Sequence, residues 1–340
     1  MSTIIPTSTY VIPVSPETHR STEQKLVVNR YVDPAAKGNS TICFLFCHAN
    51  GYHKELWHPI MRRLRDNSRD KDRYDLELWA FDCRNQGDSA IVNEDVLDDY
   101  FSWNDYARDA LQVVDACNVK LGAVALVGVG HSFGGTALVL AESLRPGTFT
   151  SLVSVDPVLF PDFMRPYFPR MNPLAAASKK RRQLWASHDA ALASFLQKPF
   201  YQRWDPEMVA IYARDGLRRV PSSLTEEVTL KCTRDQEQVT FTYDQDSFYD
   251  AFNALPSLAA PVWFMFADKS EVITPQMGEL IASRPPVASA VFLRDTGHLV
   301  PMEKPDEVVR VIERAVRTDV VGRLGTLLET DGRQDVRAKL

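Results

Sequence analysis

Short apolar runs alternate with helical patterns along most of this chain. Several of the runs are almost continuously apolar, which is typical of strands that helices cover on both faces of a parallel sheet. The alternation predicts an α/β fold with a mostly parallel central sheet flanked by helices. The predicted strands are Lys25–Val32, Thr41–His48, Leu76–Phe81, Ala123–Gly128, Thr150–Asp156, Pro261–Ala267 and Ala288–Leu293. The predicted helices are Glu55–Arg65, Trp103–Cys117, Phe133–Leu144, Pro275–Ser283 and Pro305–Arg323.

The alternation stops in the middle of the chain. Prolines, aromatic residues and short helical patterns such as Lys180–Gln197 and Pro206–Leu217 replace it there. Ligands of open α/β sheets bind at the carboxyl ends of the strands, where an insertion can cover them. We therefore predict a core formed by residues 1–156 and 258–330, with a helical cap formed by residues 157–257.

Composition excludes several other classes of protein. The net charge of −5 argues against a general nucleic-acid-binding protein. The chain has no apolar run of the about 18 residues that a membrane span needs, and its first residues lack a secretory leader pattern. The five cysteines follow neither disulfide nor zinc-site spacing, so a reduced compartment is expected. Nothing in the sequence indicates a metal or a cofactor.

The segment GVGHSFGG, residues 128–135, is the strongest chemical signal. It places Ser132 between Gly130 and Gly134, after a predicted strand and before a predicted helix. A serine in a sharp strand–turn–helix bend is the nucleophile of an acyl-transfer site. The bend requires a strained backbone, and side chains at the two glycines would collide with neighbouring elements. This context favours a nucleophile over a serine in an ordinary glycine-rich turn.

A serine nucleophile needs a base and an acid. His298, in DTGHLVP after the last predicted strand, stands where the order serine, acid, histidine requires the base. Two strand ends compete to supply the acid. Asp156 ends the strand that follows the nucleophile helix, whereas Asp268 and Glu271 follow VWFMFA. In the later position the acid usually comes three residues after a glycine, and Ser270 stands there instead. The residues favour Asp156 and leave the other two carboxylates as alternatives.

The reaction also needs backbone N–H groups where negative charge develops. One is expected from Phe133, directly after the serine. The second is expected from Asn50 or Ala49, in the loop HANGYHKEL after an early strand. In that loop His48 is expected to orient the backbone rather than to transfer protons.

The segments GHSFGG, TGHLVP and FDCRNQGDSA resemble the α/β-hydrolase superfamily over most of the chain. Asn85 and Gln86 replace the glycine and histidine that are usual in the third segment. The segments HANGYHKELW, SWNDYARDAL and SVDP, with the terminal AKL, resemble more closely fungal peroxisomal α/β-hydrolases: an acyl-CoA hydrolase of mycophenolic acid assembly, proteins of host-selective-toxin pathways and a yeast lipase. Ala49 stands where that acyl-CoA hydrolase has glycine. The resemblance implies an α/β-hydrolase fold and cleavage of a thioester or ester, with Asp156 as the acid.

Aromatic residues of the predicted cap could line an apolar acyl pocket, and we single out Phe160, Trp185 and Trp204. The basic run at 179–182 could meet the phosphates of a CoA thioester. The expected partner is therefore a small acyl ester or acyl-CoA. Two alternatives stay open: a lipase on long-chain esters, and a cyclase or binding protein that uses the fold without hydrolysis.

The last residues suggest a location. Ala338, Lys339 and Leu340 match the C-terminal address that the peroxisomal import receptor reads. The preceding charged residues have no apolar pattern, which is typical of a flexible tail over 331–340. We therefore expect a peroxisomal protein.

Overall fold

The computed structural model describes residues 4–18, 23–33, 36, 40–67, 74–167, 173–221, 223–242 and 246–322. Within these ranges the strands are β1 (Ser8–Pro13), β2 (Lys25–Val32), β3 (Ser40–Cys47), β4 (Tyr74–Phe81), β5 (Ala123–His131), β6 (Ser151–Val155), β7 (Leu184–Trp185), β8 (Leu217–Arg219), β9 (Val228–Leu230), β10 (Val262–Ala267) and β11 (Ala288–Leu293). The α-helices are α1 (His58–Asn67), α2 (Gly87–Val92), α3 (Trp103–Ala116), α4 (Phe133–Leu144), α5 (Pro173–Ser178), α6 (His188–Leu196), α7 (Pro199–Gln202), α8 (Pro206–Asp215), α9 (Arg234–Thr242), α10 (Ser247–Ala254), α11 (Pro275–Ala282), α12 (Val300–Glu303) and α13 (Pro305–Ala315).

The central sheet has eight strands in the order β1-β2-β4-β3-β5-β6-β10-β11. The pairs β1–β2 and β2–β4 are antiparallel, and the remaining pairs are parallel. The prediction of a mostly parallel sheet is thus confirmed. The sequence missed β1, an edge strand with mostly exposed or half-buried side chains that produce no apolar run.

Strand β3 shows why the sheet is covered on both faces. Phe44 and Phe46 point to the face that α1 and α13 cover, whereas Leu45 and Cys47 point to the face that α3 and α4 cover. All four side chains are at most 1% exposed. Burial of a large apolar side chain stabilises a fold by about 1.5–3 kcal/mol. A continuous apolar run is therefore stable only in the middle of such a three-layer arrangement.

The segment between β6 and β10 contains helices α5–α10 and a separate antiparallel sheet in the order β7-β9-β8. The predicted helix over Lys180–Gln197 is wrong in its first half, because β7 pairs with β9 there. Helix α6 begins only after Ser187, whose side chain accepts a hydrogen bond from the amide of Ala190 at 3.1 Å. Helix α10, near the end of the segment, packs against α3 and α4.

The helix that begins at Pro305 is shorter than predicted. Helix α13 ends at Ala315, and a π-helical turn over Val316–Val321 continues it. Arg323, where the prediction ended, lies outside the described residues. In the part of the chain that the structure describes, none of the helices is long and apolar enough to cross a membrane.

Candidate active site

Ser132 lies in the turn between β5 and α4, as predicted. Its backbone has φ 52° and ψ −117°, in a region that residues with a side chain rarely adopt. A Cβ atom on Gly130 would lie 2.5 Å from the carbonyl oxygen of Gly134, and one on Gly134 would lie 2.3 Å from the carbonyl oxygen of Cys47. The amide of Ser132 donates to the carbonyl of Val155 at 2.8 Å. The two glycines therefore let β5, α4 and β3 approach closely enough to hold the bend.

His298 lies in the loop between β11 and α12 and joins two of the predicted residues. Its Nε2 is 2.8 Å from Ser132 Oγ, and its Nδ1 is 2.6 Å from Asp156 Oδ2. A carboxylate oxygen only accepts, so Nδ1 carries the proton in this contact and Nε2 accepts from the hydroxyl. The arrangement can remove the proton of Ser132 when the hydroxyl attacks a carbonyl.

Asp156 directly follows β6, with φ 43°, and is completely buried. Besides His298, its carboxylate accepts hydrogen bonds from the Ser270 hydroxyl at 2.5 Å and from the Ala267 amide at 3.2 Å. These donors compensate the charged group for the loss of water on burial. The strained backbone aims the side chain along the carboxyl edge of the sheet towards the imidazole.

The other two candidate acids lie elsewhere. Asp268 Oδ1 accepts from the amide of Thr296 at 3.2 Å. Backbone hydrogen bonds at Asp295 and Thr296 hold the pKa of Asp268 below its usual value. Glu271 lies at the wall of the cavity described below. Among the described residues, neither carboxylate is hydrogen-bonded to the imidazole. The structure therefore brings together the serine, the histidine and Asp156.

Two positioning residues escaped the sequence analysis. His131 Nε2 donates to the carbonyl oxygen of His298 at 2.9 Å, and burial lowers the pKa of His131 to about 3, so its ring stays neutral. Ser270, three residues after Ala267, donates a hydrogen bond to Asp156. The sequence carried a signal for both, since His131 precedes the nucleophile and Ser270 occupies the usual place of the acid.

The loop of residues 48–53, which follows β3, is held by side chains. His48 Nδ1 donates to the carbonyl of Ala49 at 2.8 Å, and its Nε2 accepts from the amide of Cys83 at 3.0 Å. Burial lowers the pKa of His48 to about 3. Both ring nitrogens of this neutral imidazole are thus hydrogen-bonded to backbone atoms. His48 orients the loop, as the sequence predicted.

Gln86 supports the same loop from the segment between β4 and α2. Its side-chain oxygen accepts from the amide of Gly51 at 2.8 Å, and its side-chain nitrogen donates to Asn50 Oδ1 at 2.6 Å. Asn85, beside it, donates to Thr240 Oγ1 of α9 at 3.0 Å. The two residues that depart from the superfamily pattern therefore bind the 48–53 loop and a helix of the β6–β10 segment.

A cluster of charged side chains lies around Lys54, directly after the 48–53 loop. The Lys54 ammonium contacts Asp82 at 2.7 Å, Glu55 at 2.7 Å and Asp88 at 2.6 Å, and it is completely buried. Asp88 also pairs with Lys231 at 2.6 Å, next to β9. Since unpaired charges are costly to bury, the cluster holds the β4–α2 segment, the loop and β9 together.

Ser132 and His298 face a cavity of about 800 Å³, named here the Ser132 cavity. Ala49, Asn50 and Phe133 line the same cavity, so all three candidate oxyanion residues border the space that Ser132 faces. The Phe133 ring is buried against Tyr106, Trp103 and Phe101, which fixes the first turn of α4. The amides at the start of α4 and in the 48–53 loop therefore border one space.

Two of the three aromatic residues predicted to bind substrate line the Ser132 cavity. They are Phe160 and Trp204. The prediction for Trp185 is wrong, because this residue does not line that cavity as the structure describes it. Trp185 is 3% exposed, and its ring packs edge-on against Phe195 at 5.3 Å between centroids. Its position in β7, facing α6, places it in the interior of the β6–β10 segment.

The four basic residues at 179–182 lie in two different environments. Lys179, Lys180 and Arg182 are exposed, whereas Arg181 lines the Ser132 cavity. The guanidinium of Arg181 pairs with Glu237, so its charge is already compensated. Contact between the other three basic side chains and the phosphates of a CoA thioester stays a prediction. No group of three or more metal-ligating side chains occurs among the described residues.

Comparisons with known proteins agree with this architecture. The model of the alpha/beta hydrolase family matches residues 44–311. The chain is 31% identical to the type I acyl-CoA thioesterase mpaH of Penicillium roqueforti, over 55% of this chain and 42% of that protein. It is 23% identical to the abhydrolase domain-containing protein ACTT2-1 of Alternaria alternata, over 55% of this chain and 81% of that protein. The chain spans less than half of the length of the thioesterase relatives that it matches.

A solved structure shows the same fold over almost the whole chain. The peroxisomal alpha-beta-hydrolase Lpx1 of Saccharomyces cerevisiae superposes with a TM-score of 0.75 at 18% identity, covering 98% of this chain and 97% of that one. The resemblance that the sequence motifs suggested is thus confirmed at the level of fold and family. With the family model covering most of the residues from β3 to α13, the chain belongs to the alpha/beta hydrolase family.

Proposed function

We propose that the chain is a serine hydrolase that cleaves an acyl thioester or carboxylic ester, of the acyl-CoA thioesterase type, through an acyl-serine intermediate. The hydrogen-bonded series from Ser132 Oγ through His298 to Asp156 carries the proposal, because it opens on a cavity that can hold an acyl group. The thioesterase relatives, whose names state acyl-CoA, support the choice of substrate class.

In the first half of the reaction His298 Nε2 takes the proton of Ser132 as Oγ attacks the carbonyl carbon. Asp156 holds the imidazole in the required tautomer and stabilises its charged form. The negative carbonyl oxygen is stabilised by the amide of Phe133 and an amide of Ala49 or Asn50, each worth roughly 3–4 kcal/mol in such a site. The bond to the leaving group then breaks, and His298 protonates the released thiol or alcohol.

The second half regenerates the enzyme. Water enters, His298 takes a proton from it, and the resulting hydroxide attacks the acyl-serine. The carboxylic acid leaves and the proton returns to Ser132. The contact between His131 and the carbonyl of His298 keeps the loop in place through both halves.

Residues 157–257 act in this proposal as a cap that selects the substrate. Phe160, Trp204 and Arg181 reach the Ser132 cavity from this segment. Asp205 pairs with Arg63 of α1 at 2.9 Å, which ties the segment to the core.

The proposal is tested by measuring thiol release from a panel of acyl-CoAs beside hydrolysis of p-nitrophenyl esters. We expect turnover of at least one acyl-CoA and its loss in Ser132→Ala. Lipase activity would instead show preference for long-chain esters with activation at an interface. Turnover that persists in Ser132→Ala, or absence of turnover on every ester and thioester, would refute the proposal.

We also propose that the protein acts in peroxisomes. Ala338–Leu340, which lie outside the described residues, match the address that the import receptor reads. The fold of a protein whose name states a peroxisomal origin gives further support. A fluorescent protein fused to the amino terminus should co-localise with a peroxisomal marker and become diffuse when the last three residues are removed. Unchanged distribution after that removal would contradict this assignment.

A further inference from the structure

The Ser132 cavity contains an ion pair that the proposed reaction does not use. Arg181, just after α5, pairs with Glu237 of α9, and both side chains line the cavity. The guanidinium also donates to the hydroxyl of Tyr212. The Glu237 side chain is only 9% exposed, and that of Arg181 is 26% exposed.

The ion pair adjoins the 48–53 loop. A Cβ atom on Gly51 would lie 2.9 Å from Glu237 Oε1 and 3.2 Å from an Nη atom of Arg181. Asn50 Nδ2 donates to the carbonyl oxygen of Glu237 at 3.0 Å. The pair therefore lies against the loop that borders the reacting carbonyl, where an acyl group bound in the cavity can contact it.

Many walls of the cavity are aromatic or aliphatic, including Trp103, Val158, Phe160, Trp204, Phe241 and Phe248. A second ion pair in the lining, Arg203–Glu303, lies beside Gly297, next to His298, whereas Arg181–Glu237 lies beside Gly51. A guanidinium has five N–H donors, and the contacts to Glu237 and Tyr212 use two of them. An alkyl chain that fills the cavity would remove water from the remaining donors without replacing it. Sites of this kind discriminate against ligands that lack the matching hydrogen-bonding atom.

We propose, resting on the hydrolase function above, that the Arg181–Glu237 pair selects acyl groups that carry an oxygen atom remote from the scissile carbonyl. A hydroxyl or carbonyl oxygen accepts from Arg181, and a hydroxyl can also donate to Glu237. Plain alkyl acyl groups of the same length bind less well because they leave the remaining N–H donors of Arg181 without an acceptor.

The test compares p-nitrophenyl octanoate with the set of its monohydroxy isomers. We expect the wild type to prefer at least one hydroxy isomer over octanoate in kcat/KM by about tenfold or more. The double variant Arg181→Met/Glu237→Met replaces the pair with apolar side chains of similar length, a change that buried pairs often tolerate. In this variant the ratio of kcat/KM for the hydroxy isomer to kcat/KM for octanoate should fall to about one or below, because the polar groups that distinguish the two acyl groups are absent.

A matched control is Arg219→Met/Glu226→Met, an ion pair at the end of β8 whose side chains are 62% and 74% exposed. It should keep the wild-type preference. Arg181→Lys serves if the double variant does not fold, and it should reduce the preference because lysine lacks the planar fork of donors. An unchanged preference in either Arg181 variant, or a wild type that favours octanoate over every isomer, would overturn the inference.

A binding measurement separates this inference from the proposed function. If no ester or thioester is hydrolysed, the proposed function fails, and calorimetry of octanoate and the hydroxyoctanoates with Ser132→Ala decides the selectivity. Tighter binding of a hydroxy acid, lost when Arg181→Met/Glu237→Met is added, supports the inference. Equal binding of all the acids overturns it.

Discussion

Replacing Asp156 with asparagine tests the assignment of the acid, because the side chain keeps its size and loses its charge. Oδ2 accepts from His298 at 2.6 Å and from Ser270 at 2.5 Å, and Oδ1 accepts from the amide of Ala267 at 3.2 Å. An amide has one acceptor and one donor end, so it cannot satisfy all three donors in either orientation.

Each orientation damages the site differently. With the amide nitrogen facing His298, the imidazole adopts the tautomer that carries its proton on Nε2, and it no longer accepts from Ser132. That tautomer costs about 10⁴ in kcat in a serine protease with the same arrangement. With the oxygen facing His298 the tautomer survives, but the nitrogen opposes the Ala267 amide and the charge that stabilises the imidazolium is absent. We therefore expect kcat to fall by about a thousandfold, equivalent to about 4 kcal/mol.

The assay is steady-state hydrolysis of the best acyl-CoA or p-nitrophenyl ester, with circular dichroism to establish folding. Asp268→Asn and Glu271→Gln are the matched controls, and both should remain close to the wild-type rate. A nearly active Asp156→Asn beside an inactive Glu271→Gln or Asp268→Asn would refute the assignment.

A second-site change sharpens the result. The Ser270 hydroxyl is 2.5 Å from the oxygen that His298 contacts, so a carboxylate at position 270 would lie near the imidazole. Adding Ser270→Asp to Asp156→Asn should restore about tenfold of the lost activity, since part of the charge returns beside the imidazole. Absence of any restoration in a folded protein would contradict this placement of Ser270.

Three further predictions concern the surroundings of the site. Gly134→Ala should lower the free energy of unfolding by about 1–3 kcal/mol or more, because the new Cβ would lie 2.3 Å from the Cys47 carbonyl oxygen. Urea denaturation measures this free energy, and a variant as stable as the wild type would contradict the prediction. Gln86→Leu removes two hydrogen bonds to the 48–53 loop and should displace the amides that stabilise the oxyanion, so kcat should fall about tenfold or more. An unchanged kcat would show that the loop keeps its position without Gln86. Burial lowers the pKa values of His48 and His131 to about 3, so only the unfolded chain takes up these protons as pH falls below about 6.5. Their contribution to stability is present near neutral pH and is lost as pH falls towards 3, and denaturation midpoints that rise on acidification would contradict this.

Local patterns were sufficient for most of the core. Apolar runs located β2 and β11 at their observed bounds, and Phe133–Leu144 was predicted as the helix that α4 forms. Strand β2 and helix α4 are largely buried, and β11, at the edge of the sheet, is an apolar run of half-buried and exposed positions. The exposed edge strand β1 and the two-residue strand β7 were missed, since neither has enough apolar positions to register.

The candidate site divides in the same way. Ser132 and His298 could be found because a glycine-flanked bend and the order of elements are written in neighbouring residues. The residues favoured Asp156 but left Asp268 and Glu271 open, because all three follow strands at one edge of the sheet. Only the structure shows which of the carboxylates contacts His298.

Sequence alone determined the α/β architecture, the bend that exposes a hydroxyl and the loop that carries the imidazole, because each depends on residues close together in the chain. Tertiary structure decided that Ser270 supports the acid, that Trp185 lies in an interior and that Arg181 turns inward to Glu237. Those outcomes depend on contacts between segments far apart in sequence. The packing of the layers determines which partner a side chain contacts, and the pattern of neighbouring residues in the sequence does not contain that information.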